Sequence, residues 1–316
     1  MAHRRPFAIA APPRFYVRFV LRLTRRIFIF LAVLFLVVAG VGGCLTYYVI
    51  TRQNLQEAVT PQSYLLSRYI SLSFTDRSGG EHEGWLLRGL RDAPVIILSH
   101  GYDSNRADLL SLGTILHDNH FSVYIFNFHG PKAKEAYSNL GPRQASDLMS
   151  AIEAVTKQPH VNPNRIGLFG TSVGGYASLV AAQSNPKVEA LVVDTTYATP
   201  EQMFDTQIDR LLGGSSGLFR ALTEAEFHLA TRGTGSSSSM LADLPKLAGV
   251  RKLFISGRDD PPLAKMTEGI YRQAPPPKQL LVLEHSQAGL ASQGEKKEYE
   301  DQVLNFFLQN LSLRAD

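Results

Sequence analysis

Two serines of this chain lie in the pattern Gly-x-Ser-x-Gly, which often surrounds a nucleophilic serine at a turn from a strand into a helix. Ser172 lies in GTSVG at residues 170–174, and Ser215 lies in GGSSG at residues 213–217. A serine hydroxyl is a weak nucleophile at neutral pH, so the site also needs a base beside it and donors for an oxyanion. The surroundings of each serine therefore decide which of them could do this chemistry.

The neighbouring sequence favours Ser172. The run RIGLFG before it predicts a strand, and VGGYASLVAAQ after it predicts a helix whose amino-terminal N–H groups would stabilise negative charge. Ser215 instead follows a helical segment and sits among glycines and serines, a composition typical of a flexible linker. We therefore predict that Ser172 is the nucleophile.

A base and an acid are expected further along the chain, each just beyond a later strand. His285 follows the predicted strand QLLVLEH and is the only histidine after His228, so we predict that it is the base. Asp259 and Asp260 follow the strand KLFISG. We expect Asp260 to orient the imidazole and Asp259 to be a solvated neighbour, with Asp194 after LVV as the alternative acid.

Two backbone N–H groups are predicted to bind the oxyanion. One belongs to Val173, directly after the nucleophile, and the other to Tyr102 in the loop HGYDSN, where we expect His100 to be structural. His117 and His120 have no further histidine or cysteine at a zinc-site spacing. No glycine pattern for phosphate or dinucleotide binding follows a first strand, so we predict neither a metal nor a cofactor.

The elements that would position these residues alternate in type. A predicted β-hairpin comes first, and short runs that are apolar on both faces then alternate with segments of helical period, which indicates a doubly wound, mostly parallel α/β sheet. An insert between Tyr197 and Arg251 predicts two or three cap helices. We expect the domain to cover residues 65–316, with the cap at about 198–248.

The amino-terminal part has a different character. Residues 27–50 contain no charged side chain, and their length of 24 suits a transmembrane helix. A basic leader, residues 1–26, precedes them, and residues 51–64 form a polar linker. The leader has seven arginines and no acidic residue, which predicts a cytoplasmic amino terminus and a catalytic domain across the membrane. The run VGGC also leaves open a lipoprotein anchored at Cys44.

Charge and cysteine content narrow the function classes. The chain has 316 residues and a net charge of +4, but without the seven leader arginines its 32 basic residues become 25 against 28 acidic ones. This balance, with no basic stripe, argues against a nucleic-acid partner. The expected partners are the bilayer and a small-molecule or lipid-like acyl substrate. A single cysteine excludes an intrachain disulfide.

The order Ser172, Asp260, His285, with the segments HGYDSNR and GRDDPP, resembles the α/β-hydrolase superfamily from about Tyr69 onward. More narrowly it is similar to the serine-aminopeptidase-like branch, which includes membrane-anchored serine hydrolases. In that branch Asp147 corresponds to a structural helix aspartate. The segment FHGPKA replaces the RGxGxS-like turn of the branch, and LEHSQAG lacks the glycine that commonly precedes its histidine.

This resemblance implies an esterase or thioesterase more than a peptidase. We expect a membrane-tethered serine hydrolase that cleaves carboxylic esters or thioesters through an acyl-enzyme. The alternatives are an acyltransferase or an amidase or peptidase with the same triad, and a catalytically silent membrane-bound binding module.

Overall fold

A computed structural model describes residues 14–52, 54, 56–64, 69–128, 140–214, 216–232 and 240–311. Several expectations fall outside these residues: the front half of the basic leader, the predicted domain boundary at 65, Ser215, and the serine-rich linker at 233–239. The remaining elements are described with the bounds that the structure gives them.

The chain begins with a long helix, α1 (Arg14–Thr51), of 38 residues. Its segment Arg18–Thr51 is long and apolar enough to cross a membrane, as an anchor or as a signal segment. The helix starts inside the predicted leader and ends one residue beyond the predicted span. Side chains from Arg18 to Val37 are exposed on every face, whereas Val49 and Ile50 at its end are buried.

Eight strands form one sheet in the order β1-β2-β4-β3-β5-β6-β7-β8. The strands are β1 (Tyr69–Thr75), β2 (Glu81–Leu87), β3 (Ala93–Ser99), β4 (Ser122–Phe126), β5 (Val161–Thr171), β6 (Val188–Asp194), β7 (Arg251–Gly257) and β8 (Lys278–Leu283). The hairpin β1–β2 pairs antiparallel and joins β4 antiparallel, and every later pair is parallel. Strands β3 and β4 are buried at every position, because helices cover both faces.

Seven further helices follow in the chain: α2 (Leu110–Asp118), α3 (Pro142–Thr156), α4 (Val173–Ser184), α5 (Pro200–Leu212), α6 (Gly217–Ala230), α7 (Pro261–Gln273) and α8 (Gln293–Asn310). Helices α3, α4 and α7 supply side chains such as Leu148 and Ile270 to the hydrophobic cluster on one face of the sheet. Helices α2 and α8 supply Leu116 and Phe307 to the cluster on the other face. The predicted doubly wound α/β fold is therefore confirmed.

Helices α5 and α6 form the predicted cap between β6 and β7. Their facing aromatic rings, Phe204 and Phe227, stack with centroids 4.6 Å apart and belong to the same cluster as α3, α4 and α7. Both helices also contact α1. The cap therefore packs between the sheet domain and the end of the amino-terminal helix.

Candidate active site

Ser172 occupies a sharp turn between β5 and α4. Its backbone has φ 51° and ψ −115°, a conformation that side-chain-bearing residues rarely adopt. Two hydrogen bonds hold this conformation: Ser172 N donates to Asp194 O at 3.0 Å, and Thr196 Oγ1 donates to Ser172 O at 2.8 Å. Strain of this kind persists only where neighbouring contacts impose it, and such sites are enriched among catalytic residues.

The two glycines of the motif allow three segments to meet at this turn. A Cβ on Gly170 would overlap the carbonyl oxygen of Gly174, and a Cβ on Gly174 would overlap that of Ser99 at the end of β3. A Cβ on Gly101 would lie 3.5 Å from Ser172 Cβ, so the loop after β3 runs beside the serine. The motif thus has a packing reason as well as a sequence pattern.

The hydroxyl of Ser172 is buried and has no hydrogen-bond partner among the described residues. Unpartnered buried hydroxyls are uncommon and call for an explanation. Val173 is the first residue of α4, and no side chain caps that helix. Tyr102 directly follows Gly101 in the adjoining loop. The predicted oxyanion donors therefore lie on the two segments next to Ser172, and their role stays a prediction.

His285 does not contact Ser172 in this structure. Its Nδ1 lies 3.2 Å from Glu295 Oε1 at the start of α8, and its side chain is 37% exposed. It lines a cavity of about 250 Å³ together with Leu290 and Tyr299. The imidazole thus points toward α8 rather than toward the serine.

Asp260 also has other partners. It is the residue that caps the amino end of α7, where it accepts a hydrogen bond from Leu263 N at 3.4 Å. It also forms an ion pair with Arg210 of α5. The expected hydrogen-bonded row of Asp260, His285 and Ser172 is therefore not formed in this conformation. The catalytic assignment of the three residues stays a prediction, and it requires a different conformation of the loop that carries His285.

The physical reason lies in the residues after His285. Asp259 accepts hydrogen bonds from Ser286 N at 2.8 Å and from Ser286 Oγ at 2.9 Å. Gln287 N donates to Asp194 Oδ2 at 2.8 Å. These contacts fix the two residues of the loop that directly follow His285. Asp259 is exposed to solvent, as expected, and it also anchors this loop.

Asp194, the alternative acid, forms no hydrogen bond with His285 among the described residues. Its carboxylate is completely buried and accepts from Gln287 N, from Thr195 Oγ1 at 2.7 Å and from Tyr299 Oη at 2.8 Å. Burial raises its pKa to about 6, although these donors favour the ionised form. Asp194 therefore connects the end of β6 to the loop after β8 and to α8.

His100 is structural, as expected from its position. Its Nδ1 lies 2.9 Å from Gly101 O, and its Nε2 accepts from Phe128 N at 3.3 Å. Complete burial lowers its pKa to about 4, so the ring is neutral at physiological pH. It fixes the loop after β3 beside Ser172 and has no free nitrogen to act as a base.

A second polar cluster lies away from the serine. Asp76, His82 and Asp147 offer ligand atoms within 4.8 Å of one another, all of them buried. The ring nitrogens of His82 already face oxygens, Asp76 Oδ2 at 2.9 Å and Asn127 O at 3.2 Å. The cluster is therefore satisfied at His82 without an ion, and we assign it no metal.

The linker after α1 is bound to the domain by side chains that sequence reasoning had not singled out. Glu57 accepts from Arg106 Nε at 2.7 Å and from Asn127 Nδ2 at 2.8 Å. Arg52 pairs with Asp103 at 2.6 Å, and Tyr102 Oη donates to Val49 O at 2.9 Å. In a polar connector such side chains look like solvated ones, so only the fold reveals that the linker binds the loop carrying Tyr102.

Comparisons with known proteins agree with this architecture. The sequence profile of the prolyl oligopeptidase family matches residues 114–206, a span that includes Ser172. A protein named YfhR from Escherichia coli O157:H7, whose name calls it uncharacterized, is 27% identical over 254 residues, which are 77% of this chain and 81% of that protein.

Two solved structures show the same fold. An esterase from Pyrococcus furiosus superposes with a TM-score of 0.64 at 18% identity, covering 84% of this chain and 99% of that chain. A dienelactone hydrolase from Anabaena variabilis superposes with a TM-score of 0.56 at 18% identity, covering 77% and 98%. The shared architecture extends over nearly all of both enzymes, and the profile match includes the serine turn, so this chain has the α/β-hydrolase fold.

Proposed function

We propose that this protein is a membrane-tethered serine hydrolase that cleaves carboxylic esters or thioesters with Ser172 as its nucleophile. The observation that carries the proposal is the strained turn at Ser172, whose hydroxyl is buried without a partner at the amino end of α4. Nothing in the packing of that turn needs a hydroxyl group. A nucleophile that awaits its substrate and its base accounts for it.

The proposed reaction has two halves. Ser172 Oγ attacks the substrate carbonyl while His285 accepts its proton, and the amides of Val173 and Tyr102 stabilise the oxyanion. His285 then protonates the departing alkoxide or thiolate, which leaves an acyl-enzyme. Water, deprotonated by His285, releases the acid and restores the serine. Asp260 would orient the imidazole after it exchanges its contact with Arg210.

This mechanism requires the loop at 284–290 to turn His285 away from Glu295. The contact to be broken is partly solvent-exposed on both sides, at 37% and 40%. Solvent-exposed ion pairs of this kind contribute little to stability. Breaking this contact therefore costs little, but the hydrogen bonds of Ser286 to Asp259 and of Gln287 to Asp194 also restrain the loop. Catalytic contacts often tighten only when substrate is present.

The substrate class and the location rest on α1. An apolar helix packed against the cap suggests a lipid-like acyl group presented at a membrane, with the amino terminus in the cytoplasm because of its arginines. A lipoprotein anchored at Cys44, whose side chain is exposed, stays the alternative form of attachment. Neither case needs a cofactor.

A fluorophosphonate probe tests the proposal on the full chain in detergent. We expect labelling of the wild type, none of Ser172→Ala, and full labelling of Ser184→Ala, which removes an exposed serine at the other end of α4. His285→Ala should slow labelling by about 10²-fold or more, because a general base contributes that much. An unlabelled wild type would instead favour the catalytically silent binding module, with which the unformed triad agrees.

A further inference from the structure

The first part of α1 has no protein covering it among the described residues. Between Ile27 and Val37 its large apolar side chains are about half exposed or more, for example Phe28 at 73% and Leu36 at 67%. Their exposure does not favour one face of the helix. A helix that is apolar all round and uncovered is stable in hydrocarbon rather than in water.

The second part of α1 is covered on one face only. Gly42, Thr46, Val49 and Ile50 are buried, at the spacing of one helical face, while Tyr47 and Tyr48 are exposed. The contact on that face comes from the cap helices, chiefly from α6. A Cβ on Gly42 would lie 2.7 Å from Glu226 Oε2, which places α6 directly against this turn of α1.

A membrane-spanning segment of α1 would extend past the point where the cap contacts this helix, so the cap cannot lie wholly in water. A bilayer core of about 30 Å needs about 20 residues at about 1.5 Å each. Counted from Ile27, where the arginines end, such a span reaches Thr46. The exposed Tyr47 and Tyr48 then lie where tyrosine is enriched, at the membrane–water interface. Gly42, and the part of α6 beside it, therefore lie about one turn inside that boundary.

Helix α6 has the surface that such a position requires. Leu218, Ala225 and Leu229 fall on one helical face and are exposed, Leu218 at 85% and Leu229 at 62%. The polar side of the helix points elsewhere: Arg220 pairs with Asp209 of α5 at 2.7 Å. The exposed apolar stripe of Leu218, Ala225 and Leu229 has no partner among the described residues.

We propose that this stripe of α6 is embedded in the outer part of the bilayer beside α1, so that the cap is an interfacial membrane helix. Helical periodicity places the stripe next to Glu226, on the side of α6 that adjoins α1. The uncovered surfaces of the two helices therefore form one continuous apolar area. The bilayer is the occupant that already surrounds the first part of α1 in the proposed anchor.

This position has a consequence for the substrate, which rests on the proposed function. The end of α1 binds the loop after β3 through Tyr102 Oη and Val49 O, and that loop adjoins Ser172. The end of α1, which packs against the cap, thus connects the bilayer to the candidate oxyanion site. The proposed position places the bilayer beside the segment that leads to the serine, so we infer that the substrate class is a membrane-resident acyl lipid.

Site-specific labelling measures the position of α6 without any need for activity. In full-length protein with Cys44→Ser, reconstituted into phosphatidylcholine vesicles, single cysteines replace Leu218 or Leu229 and carry an environment-sensitive fluorophore. Controls carry it at His228, 59% exposed on the neighbouring polar side of α6, and at Lys297, 79% exposed on α8. We expect lipids brominated in the acyl chain to quench the labels at 218 and 229 at least threefold more than those at 228 and 297. Equal quenching at all four positions would overturn the proposal.

Hydrolysis tests the substrate class separately. The double variant Leu218→Glu and Leu229→Glu should cleave a long-chain lipid ester in vesicles at least tenfold more slowly than wild type, with unchanged cleavage of a short water-soluble ester. Equal loss on both substrates, or loss on neither, would contradict delivery from the membrane. Absence of all hydrolysis in the wild type would refute the proposed function, while the quenching result would still decide the position of α6.

Discussion

Asp147 of α3 is a buried carboxylic acid beside the β1–β2 hairpin. Its Oδ2 has no hydrogen-bond partner among the described residues, and its Oδ1 lies 4.0 Å from His82 Nε2. Burial raises its pKa to about 8, and the charge of Asp76 adds to that effect. For Asp76 burial opposes ionisation, yet hydrogen bonds from His82 and Ser78 hold its pKa well below its usual range. The two carboxyl groups therefore differ in protonation at neutral pH.

We predict that Asp147 makes the fold less stable at alkaline pH. Its pKa is higher in the folded than in the unfolded state, so its stabilising effect is complete below about pH 4 and is lost as pH rises through about 8. Each pKa unit corresponds to about 1.4 kcal/mol. In Asp147→Asn, the unfolding midpoint of the detergent-solubilised protein should fall less between pH 6 and pH 9 than it does in the wild type.

The matched control for this measurement is Asp118→Asn, which neutralises an exposed carboxylate at the end of α2. It should leave the pH dependence of the midpoint as it is in the wild type. If the Asp147 variant and the control followed the same curve, the carboxyl of Asp147 would be ionised in the fold at neutral pH.

Single residues were predictable where backbone geometry dictates their type. The glycines around Ser172 are required by close backbone contacts, so the sequence pattern pointed to the correct turn. The orientation of His285 was not predictable, because it depends on contacts of Ser286 and Gln287 with strands far away in sequence. The same holds for Asp260, which is bound by an arginine 50 residues earlier in the chain.

At the level of elements, the segment between β8 and α8 is bound from both ends. Asp194 and Asp259 hold its Gln287 and Ser286, and Ser292 begins α8 with a capping box that uses Glu295. The same Glu295 carboxylate accepts the contact from His285. The start of α8 therefore competes with Ser172 for the imidazole.

We predict that Glu295→Gln speeds labelling of Ser172 by the fluorophosphonate probe. Glutamine keeps the capping box but loses the charge that holds His285. Because a solvent-exposed pair of this kind is weak, we expect the rate to rise only about two- to fivefold, if the histidine must turn before reaction. The control Glu153→Gln neutralises an exposed carboxylate on α3 and should leave the rate unchanged. A rate that also stays unchanged in Glu295→Gln would show that this contact does not restrain the base.

The elements themselves followed from the period of the sequence. The alternation of apolar runs with helical segments predicted the sheet, the hairpin and the cap, because burial on both faces of a parallel sheet leaves a clear pattern. Loop conformation leaves no such pattern. Segment 284–290 is a prominent case, since its fixed points are Asp194 and Asp259 and neither lies in it.

In the molecule as a whole, the amino-terminal helix is part of the folded domain as well as a candidate anchor. Val49 and Ile50 belong to the same hydrophobic cluster as the cap and α3. Further along the chain, Glu57 binds Arg106, whose guanidinium lies 4.0 Å from the centre of the Trp85 ring. An anchor joined to its domain only by a flexible linker would show neither feature, and the polar composition of residues 51–64 had indicated only a short connector.

Two truncations distinguish a docked helix from a simple tether. We predict that removal of residues 1–37 leaves the unfolding midpoint in detergent within about 2 °C of the wild type, because the side chains from Arg18 to Val37 are exposed. Removal of residues 1–60 should lower the midpoint by about 8 °C or more. This truncation removes the buried side chains of Val49 and Ile50, whose burial stabilises the fold by about 1.5–3 kcal/mol each. It also removes Glu57, the carboxylate that pairs with Arg106. A loss of 1 kcal/mol lowers the midpoint of a domain of this size by about 2–4 °C.

Both truncated proteins lack the uncovered apolar segment, so the comparison between them isolates residues 38–60. In the protein that lacks residues 1–37, Glu57→Gln then separates the partly buried ion pair from the apolar contacts, since it leaves Val49 and Ile50 in place. Equal midpoints for the two truncations would mean that the helix end adds nothing to the domain. In that case α6 would have no fixed partner at Gly42, and the bilayer could not orient the cap through α1.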